Sequence, residues 1–247
     1  MPALAVWQWI LGAVCALFIG VAKSGVPGFG IAVVPLMVIT VGSARASAGW
    51  LLPILCTADL FAIAYYRRHA HARRLFDLAP WVLVGMAVGA VALGWGERVL
   101  RPIIGAVVLS MIGAHLWRKW RRDIVVPAGW THGARYGVMA GFATTVANAA
   151  GPVMNVYLLS KRLPKEEFVA AGAWFFFLVN LSKIPIYVWR GGMISRASLI
   201  FDACLIPAVA LGAVLGRKVI RRLNQTTFEI AVLCLSVAAT LLLFLPR

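Results

Sequence analysis

The sequence predicts an all-α polytopic membrane protein of two inverted-topology repeats. Each repeat is a Gly-broken re-entrant or discontinuous helical hairpin followed by three transmembrane helices. Three observations predict it. Of the 247 residues, 62% are hydrophobic and only 13% charged, where a soluble domain carries about 25% charged residues. Mean hydropathy is +0.88, and several nearly uncharged runs are long enough to cross a hydrocarbon core of about 30 Å as helices. The runs are continuous, without the period-two alternation that a membrane β-barrel requires.

The elements follow in order. A long apolar arm (4–22) enters the Gly-rich break "GVAKSGVPGFG", and a short apolar arm (31–41) leaves it; spans 47–66, 78–96 and 99–117 complete the first half. The second half repeats the plan with an arm at 134–147, a break within "TTVANAAGPVMNVYLL", a short arm at 152–160, and spans 167–189, 198–216 and 227–245. Sliding the chain until Asp59 falls on Asn180 also brings Tyr66 onto Tyr187, Ser24 onto Thr145 and Gly30 onto Gly151. A register one residue longer puts Gly94 on Gly216. Internal repetition of this kind divides the chain into a first membrane repeat (1–123) and a second (124–247), together one transport unit. The opening "MPALAVWQWI" lacks a basic n-region and a cleavage site, so it reads as a first membrane segment.

Charge placement sets the relative orientation. The formal charge of +16 is gathered in short clusters between apolar runs, as in "YYRRHAHARRL", "LWRKWRRD" and "GRKVIRRL". Such clusters stay cytoplasmic and fix topology, with lipid head groups as neighbours and no nucleic-acid partner. Let each arm–break–arm unit enter and leave on one side. Arg67, Arg68, Arg73 and Arg74 then share the cytoplasmic face with Arg118, Lys119, Arg121, Arg122, Lys161, Arg162, Lys165, Arg217, Lys218, Arg221 and Arg222. Inversion of the halves follows. Whether each first arm is re-entrant or fully spanning stays open, as does a homodimer.

Irregular backbone at membrane depth is tolerated where it is buried in protein or lines a wet cavity. At each break a short arm begins, with unpaired amides and the positive end of its dipole at the midplane. Two such N-termini converging would hold an anion. Gly25, Gly28 and Gly30 allow the first turn; Asn148 can hydrogen-bond in the second, and Pro152 suits a first helical turn. The pairs Gly85/Gly89 and Gly212/Gly216 read instead as close helix packing.

Lys23 and Lys183 are the informative cations, because a lysine at the centre of a membrane helix costs roughly 2.5–3.5 kcal/mol and calls for a partner or a function. The alternative is a side chain that snorkels to the interface. Lys183 follows Asn180 by three residues, on one helical face, and Pro185 weakens that helix. Asp59 has two open roles: charge partner of Lys23 or Lys183, or carrier of a proton coupled to the substrate. Asp202, nearer a helix start, reads as a cap or interfacial residue. Cys15, Cys56, Cys204 and Cys234 read as small buried hydrophobes. His69 and His71 lack further ligands, so no metal site is expected. No phosphate loop, nucleophile elbow or zinc-hydrolase motif occurs, and no cofactor is expected.

The stretches "GVAKSGVPGFGIAVVPL", "GFATTVANAAGPVMNVYLL", "LPKEEF" and "AWFFFLVNLSKIPIY" resemble the TauE/SafE sulfite exporter family, also called the toluene sulfonate uptake permease family. The resemblance runs the length of the chain, and "AKSGVPGFG" in place of the glycine-rich form marks a lysine-containing branch. It implies a multi-pass protein of the cytoplasmic (inner) membrane. Its activity would be secondary transport of a small sulfur-containing anion: sulfite, a sulfonate or a related organosulfur acid. By motif position the site would comprise Lys23, Ser24, Gly25 and Gly28 from the first break. From the second half it would take Thr144, Thr145, Asn148 and Asn155, with Asn180 and Lys183 beside them. Two other classes stand against this: a passive anion channel, and an intramembrane enzyme acting on a lipid phosphate. For the enzyme the midplane supplies Ser24 and Asp59 but no acid–base pair.

Overall fold

The computed structural model describes residues 4–24, 29–66, 78–120, 130–160, 165–189 and 192–218, with isolated positions between 234 and 241. Among them are nine helices and no strand: α1 (Val6–Lys23), α2 (Phe29–Val41), α3 (Ala44–Tyr66), α4 (Ala79–Ala92), α5 (Glu97–Trp120), α6 (Trp130–Ala147), α7 (Gly151–Ser160), α8 (Lys165–Trp189) and α9 (Arg196–Lys218). The arms, short arms and spans expected from the sequence correspond to these helices in order. The expected span 227–245 lies outside the described residues, apart from the isolated positions.

Four helices are long and apolar enough to cross a membrane: Val6–Lys23, Ala44–Tyr65, Ala170–Trp189 and Arg196–Gly216. At 1.5 Å per residue the 13 residues of α2 reach only about 20 Å, and the 10 of α7 about 15 Å. Neither spans a bilayer alone. Helix α2 is instead buried on nearly all sides, from Phe29 through Val38, which is why its sequence is apolar all round. Large side chains point outward elsewhere, among them Leu83, Val84, Val88 and Val91 on α4 and Leu199, Leu211 and Val214 on α9. Such a surface suits hydrocarbon. Trp120 and Trp189, 80% and 94% exposed at helix ends, match the aromatic belts of membrane interfaces.

The long helices pack in pairs: α1 along α9, α4 along α6, and α3 along α8. Glycines make the first two contacts close. Gly20 lies on Val209, Gly212 and Ala213, Gly212 lies on Leu17, and Gly216 lies on Val21 and Ser24. The other interface has the same layout: Gly141 on Val82, Gly85 and Met86, Gly85 on Val138, and Gly89 on Phe142 and Thr145. A methyl group at any of these would overlap its neighbour, so the close-packing reading of the two glycine pairs holds. Gly94 is exposed in the turn after α4, whereas Gly89 and Gly216 both pack on a neighbouring helix. Glycine identity alone cannot separate a turn glycine from a contact glycine; the contacts do.

One capping arrangement ties α5 to the start of α3. The Glu97 carboxylate accepts hydrogen bonds from Ser43 Oγ at 2.5 Å, Ala44 N at 2.9 Å and Arg45 N at 3.2 Å. Arg101 braces it, with Nε 3.4 Å from Glu97 and a terminal nitrogen donating to Gly42 O at 2.6 Å. A helix start has free amides and a partial positive charge. An acidic side chain from a neighbouring helix satisfies both.

Candidate functional site

Helix α6 ends where Asn148 turns the chain, with φ of 53°. Asparagine tolerates this left-handed conformation better than most residues. The Asn148 amide returns to Thr144 O at 2.9 Å, the bond of the left-handed cap that ends many helices, and the Ala149 amide reaches Ala143 O at 3.1 Å. The last carbonyls of α6 still need donors, and α8 supplies them. Lys183 Nζ donates to Thr144 O at 3.2 Å, Thr144 Oγ1 at 3.0 Å and Asn148 Oδ1 at 2.5 Å. Tyr187, one turn on, donates from its hydroxyl to Thr145 O at 2.8 Å. A cation thus sits on the negative end of α6.

Asn148 also reaches into the other half, its Nδ2 donating to Ala48 O of α3 at 2.9 Å. Lys183 is completely buried. The snorkelling alternative fails for it, because its ammonium has all its acceptors inside the bundle.

The second lysine is held differently. Lys23, at the C-terminal end of α1, lies 2.6 Å from Asp59 Oδ1 of α3, with its side chain 17% exposed and that of Asp59 fully buried. The other carboxylate oxygen accepts from Asn180 Nδ2 of α8 at 2.8 Å, across 121 residues of chain. The Lys23 ammonium also stands over the Phe176 ring, 4.1 Å from its centroid, a favourable cation–π position. Of the partners open to Asp59, the structure selects Lys23.

The structure thus sets two polar groups side by side: Lys23 and Asn180 on Asp59, and Thr144 and Asn148 on Lys183, joined by Asn180 and Lys183 three residues apart on α8. Ser24 and Thr145 turn away from this cluster. Each hydroxyl donates back along its own helix, to Val21 O at 2.7 Å and to Gly141 O at 2.8 Å, and each packs on a glycine of the neighbouring helix. Gly25 and Gly28 lie outside the described residues. Asn155 lies in α7, and its side chain is likewise undescribed. Sequence reasoning missed Phe176 and Tyr187. Both share the face of α8 that carries Asn180 and Lys183, at intervals of three and four residues; that periodicity was the available signal.

Asp202 is no cap. Helix α9 starts at Arg196, where Ser195 Oγ accepts from Ser198 N at 3.1 Å and Ser198 Oγ from Ser195 N at 2.9 Å. Two serines do the capping, and Asp202 falls in the following turn. It is 5% exposed, and neither carboxylate oxygen has a hydrogen-bond partner among the described residues.

The break glycines contrast with the packing glycines. A Cβ at Gly151 would meet no described atom within 4 Å, and one at Gly30 would meet only Ala22 Cβ at 3.9 Å. Among the described residues, packing does not require glycine at either position. No group of three metal-ligating side chains occurs among the described residues.

Comparisons with known proteins identify the family. A family model described as sulfite exporter TauE/SafE matches residues 12–243. No curated protein and no solved structure matches the chain. The family's members are transporters, not enzymes, and multi-pass proteins of the inner membrane. A match over nearly the whole length, on a helical chain with at least four membrane-crossing helices, leaves one conclusion: this chain belongs to the TauE/SafE sulfite exporter family and is an inner-membrane transporter of the anion-exporter type.

Proposed function

We propose that the chain is a secondary transporter that moves a small sulfur-containing anion across the cytoplasmic membrane by alternating access. The substrate is sulfite, a sulfonate or a related organosulfur acid. One observation carries the reading: Lys23 at the end of α1 and Lys183 on the end of α6 lie inside the bundle with one carboxylate, Asp59, among the described residues to balance them, a buried cation surplus beside the break glycines. Buried charge without a partner is costly, so such a surplus is kept where an anion arrives to balance it. The amide groups at the starts of α2 and α7 would complete the cradle.

Two inverted repeats account for the packing. The α1–α9 and α6–α4 interfaces share one glycine layout. Asp59 and Asn180, matched residues of the two halves, touch one another, as residues near a pseudo-twofold axis must. Each half lends its first arm to a helix of the other, so rocking of one unit against the other would open the site to alternate sides. Coupling to a proton gradient is part of this reading, the Lys23–Asp59 pair staying intact while the anion is bound.

Uptake into proteoliposomes tests the proposal, using labelled sulfite, methanesulfonate and acetate, with and without an imposed proton gradient. Saturable uptake of a sulfur oxyanion that responds to the gradient is expected, with at least a tenfold loss of affinity in Lys23→Ala. Uptake that ignores the gradient and does not saturate would replace the transporter with a passive pore. Uptake of none of the three would refute the substrate class.

A further inference from the structure

The charge count of the cluster decides more than the sign of the ligand. Lys183 presents three donors, and three acceptors receive them: Thr144 O, Thr144 Oγ1 and Asn148 Oδ1. A carbonyl, a hydroxyl and an amide oxygen at the negative end of α6 favour the ammonium form. None of the three acceptors is a carboxylate. Among the described residues the one carboxylate in the cluster is Asp59, taken by Lys23 at 2.6 Å. The described charged groups here, Lys23, Asp59 and Lys183, therefore sum to a single positive charge. The helix ends change this little, because at each break the negative end of one helix lies near the positive start of the next.

Resting on the anion-site reading above, we propose that the site selects monoanions over dianions of the same shape, and that Asp59 sets this limit. The ligand meets Lys23, the cation with exposed side-chain surface, while Lys183 supplies from inside the charge that balances it. One negative charge neutralises the cluster. A second would stand unpaired in a low-dielectric interior, where isolated charge is strongly disfavoured. Of the forms sulfite takes in water, hydrogensulfite is then the ligand and the dianion is not. The Phe176 ring beside Lys23 admits the apolar end of an organic sulfonate without adding charge.

Methanesulfonate and sulfate make a matched pair of probes: both are tetrahedral, of similar volume, and differ by one charge. Their equilibrium binding to lipid-reconstituted full-length protein is expected to favour methanesulfonate at least tenfold. Sulfate is also the more strongly hydrated ion, so the change in this ratio on mutation is the deciding quantity. Asp59→Asn raises the cluster to two positive charges and should move the ratio at least tenfold toward sulfate. Lys183→Gln lowers it to zero and should weaken methanesulfonate at least tenfold, which keeps the idea testable if Asp59→Asn does not fold. Sulfate binding as tightly as methanesulfonate to the wild type, or a ratio unmoved in Asp59→Asn, would overturn the charge limit and leave the anion site standing. Binding of neither ion by the wild type would overturn the anion site itself.

Discussion

Asn180 and Asp59, 121 residues apart, meet through a 2.8 Å hydrogen bond from the Asn180 amide to the Asp59 carboxylate. The same interval pairs Tyr66 with Tyr187 and Ser24 with Thr145 along the sequence. The bond places an amide from one half against an acid from the other, and the acid holds Lys23 on its remaining oxygen. Several consequences can be measured.

Removing either member of the Lys23–Asp59 pair strands the other. Asp59 is fully buried, so Lys23→Met should lower stability by about 3–5 kcal/mol. The double variant Lys23→Met/Asp59→Asn should recover most of that loss, since no charge is then left alone. Thermal unfolding in detergent of the four members of this cycle measures the coupling. Additive losses would mean that the pair does not form in the membrane.

Asn148 combines a left-handed backbone with two side-chain bonds, and two substitutions separate them. Asn148→Gly keeps the backbone free of strain and loses the bonds to Lys183 and Ala48 O, at about 1–3 kcal/mol for the groups left unsatisfied. Asn148→Ala adds the strain of a β-carbon at positive φ, about 1 kcal/mol more. Equal melting temperatures for the two variants would show that the left-handed turn carries no strain.

Gly141 and Gly151 should respond oppositely to a side chain. At Gly141 a β-carbon overlaps Val82 O and crowds Met86 N, the latter at 2.9 Å, so Gly141→Val should cost about 1–3 kcal/mol or more by overpacking. At Gly151 there is room, and Gly151→Ala should leave stability within about 0.5 kcal/mol. If that room belongs to the ligand, Gly151→Ala should still cut transport by half or more. Normal transport would place the ligand elsewhere.

Glu97 gives the extramembrane end of α3 a pH dependence. Partial burial, the largest single influence, pushes its carboxyl up. The Ser43 hydroxyl, the Ala44 and Arg45 amides and the Arg101 guanidinium outweigh it together and hold the carboxyl below its ordinary value of 4.5. A carboxylate lowered in the folded state stabilises above its unfolded value, and the contribution fades as pH falls through the lowered one. Glu97→Gln should therefore cost about 1 kcal/mol or less near neutrality, given the exposure of the site. That difference should vanish in acid. Melting curves of both proteins from neutral to acidic pH check it, and a constant offset would show that charge plays no part.

Asp202 is buried without a hydrogen-bond partner among the described residues, a situation that costs about 1–3 kcal/mol. Asp202→Leu should raise the melting temperature. A clear fall would reveal a partner supplied by the rest of the chain.

The elements of this protein were legible in its sequence because hydrocarbon imposes a simple rule. A backbone that cannot bond to water must bond to itself, so uninterrupted apolar runs become helices and clustered Gly and Pro become breaks. Lys23, Asp59 and Lys183 stood out for a related reason: charge inside such a run needs an explanation. Composition and position sufficed for both.

Pairing was another matter. The sequence offered Asp59 two lysines, offered Lys183 an escape to the interface, and set Ser24 and Thr145 among the ligand groups. Tertiary packing decided otherwise. It brought α3 and α8 together at Asp59 and Asn180, buried Lys183 on the end of α6, and turned Ser24 and Thr145 onto the glycines of neighbouring helices. Hydropathy is a property of each residue and can be read one position at a time. Which carboxylate meets which ammonium depends on how helices distant in sequence cross, and glycines such as Gly89 and Gly216 set those crossings through contacts that exist only in three dimensions.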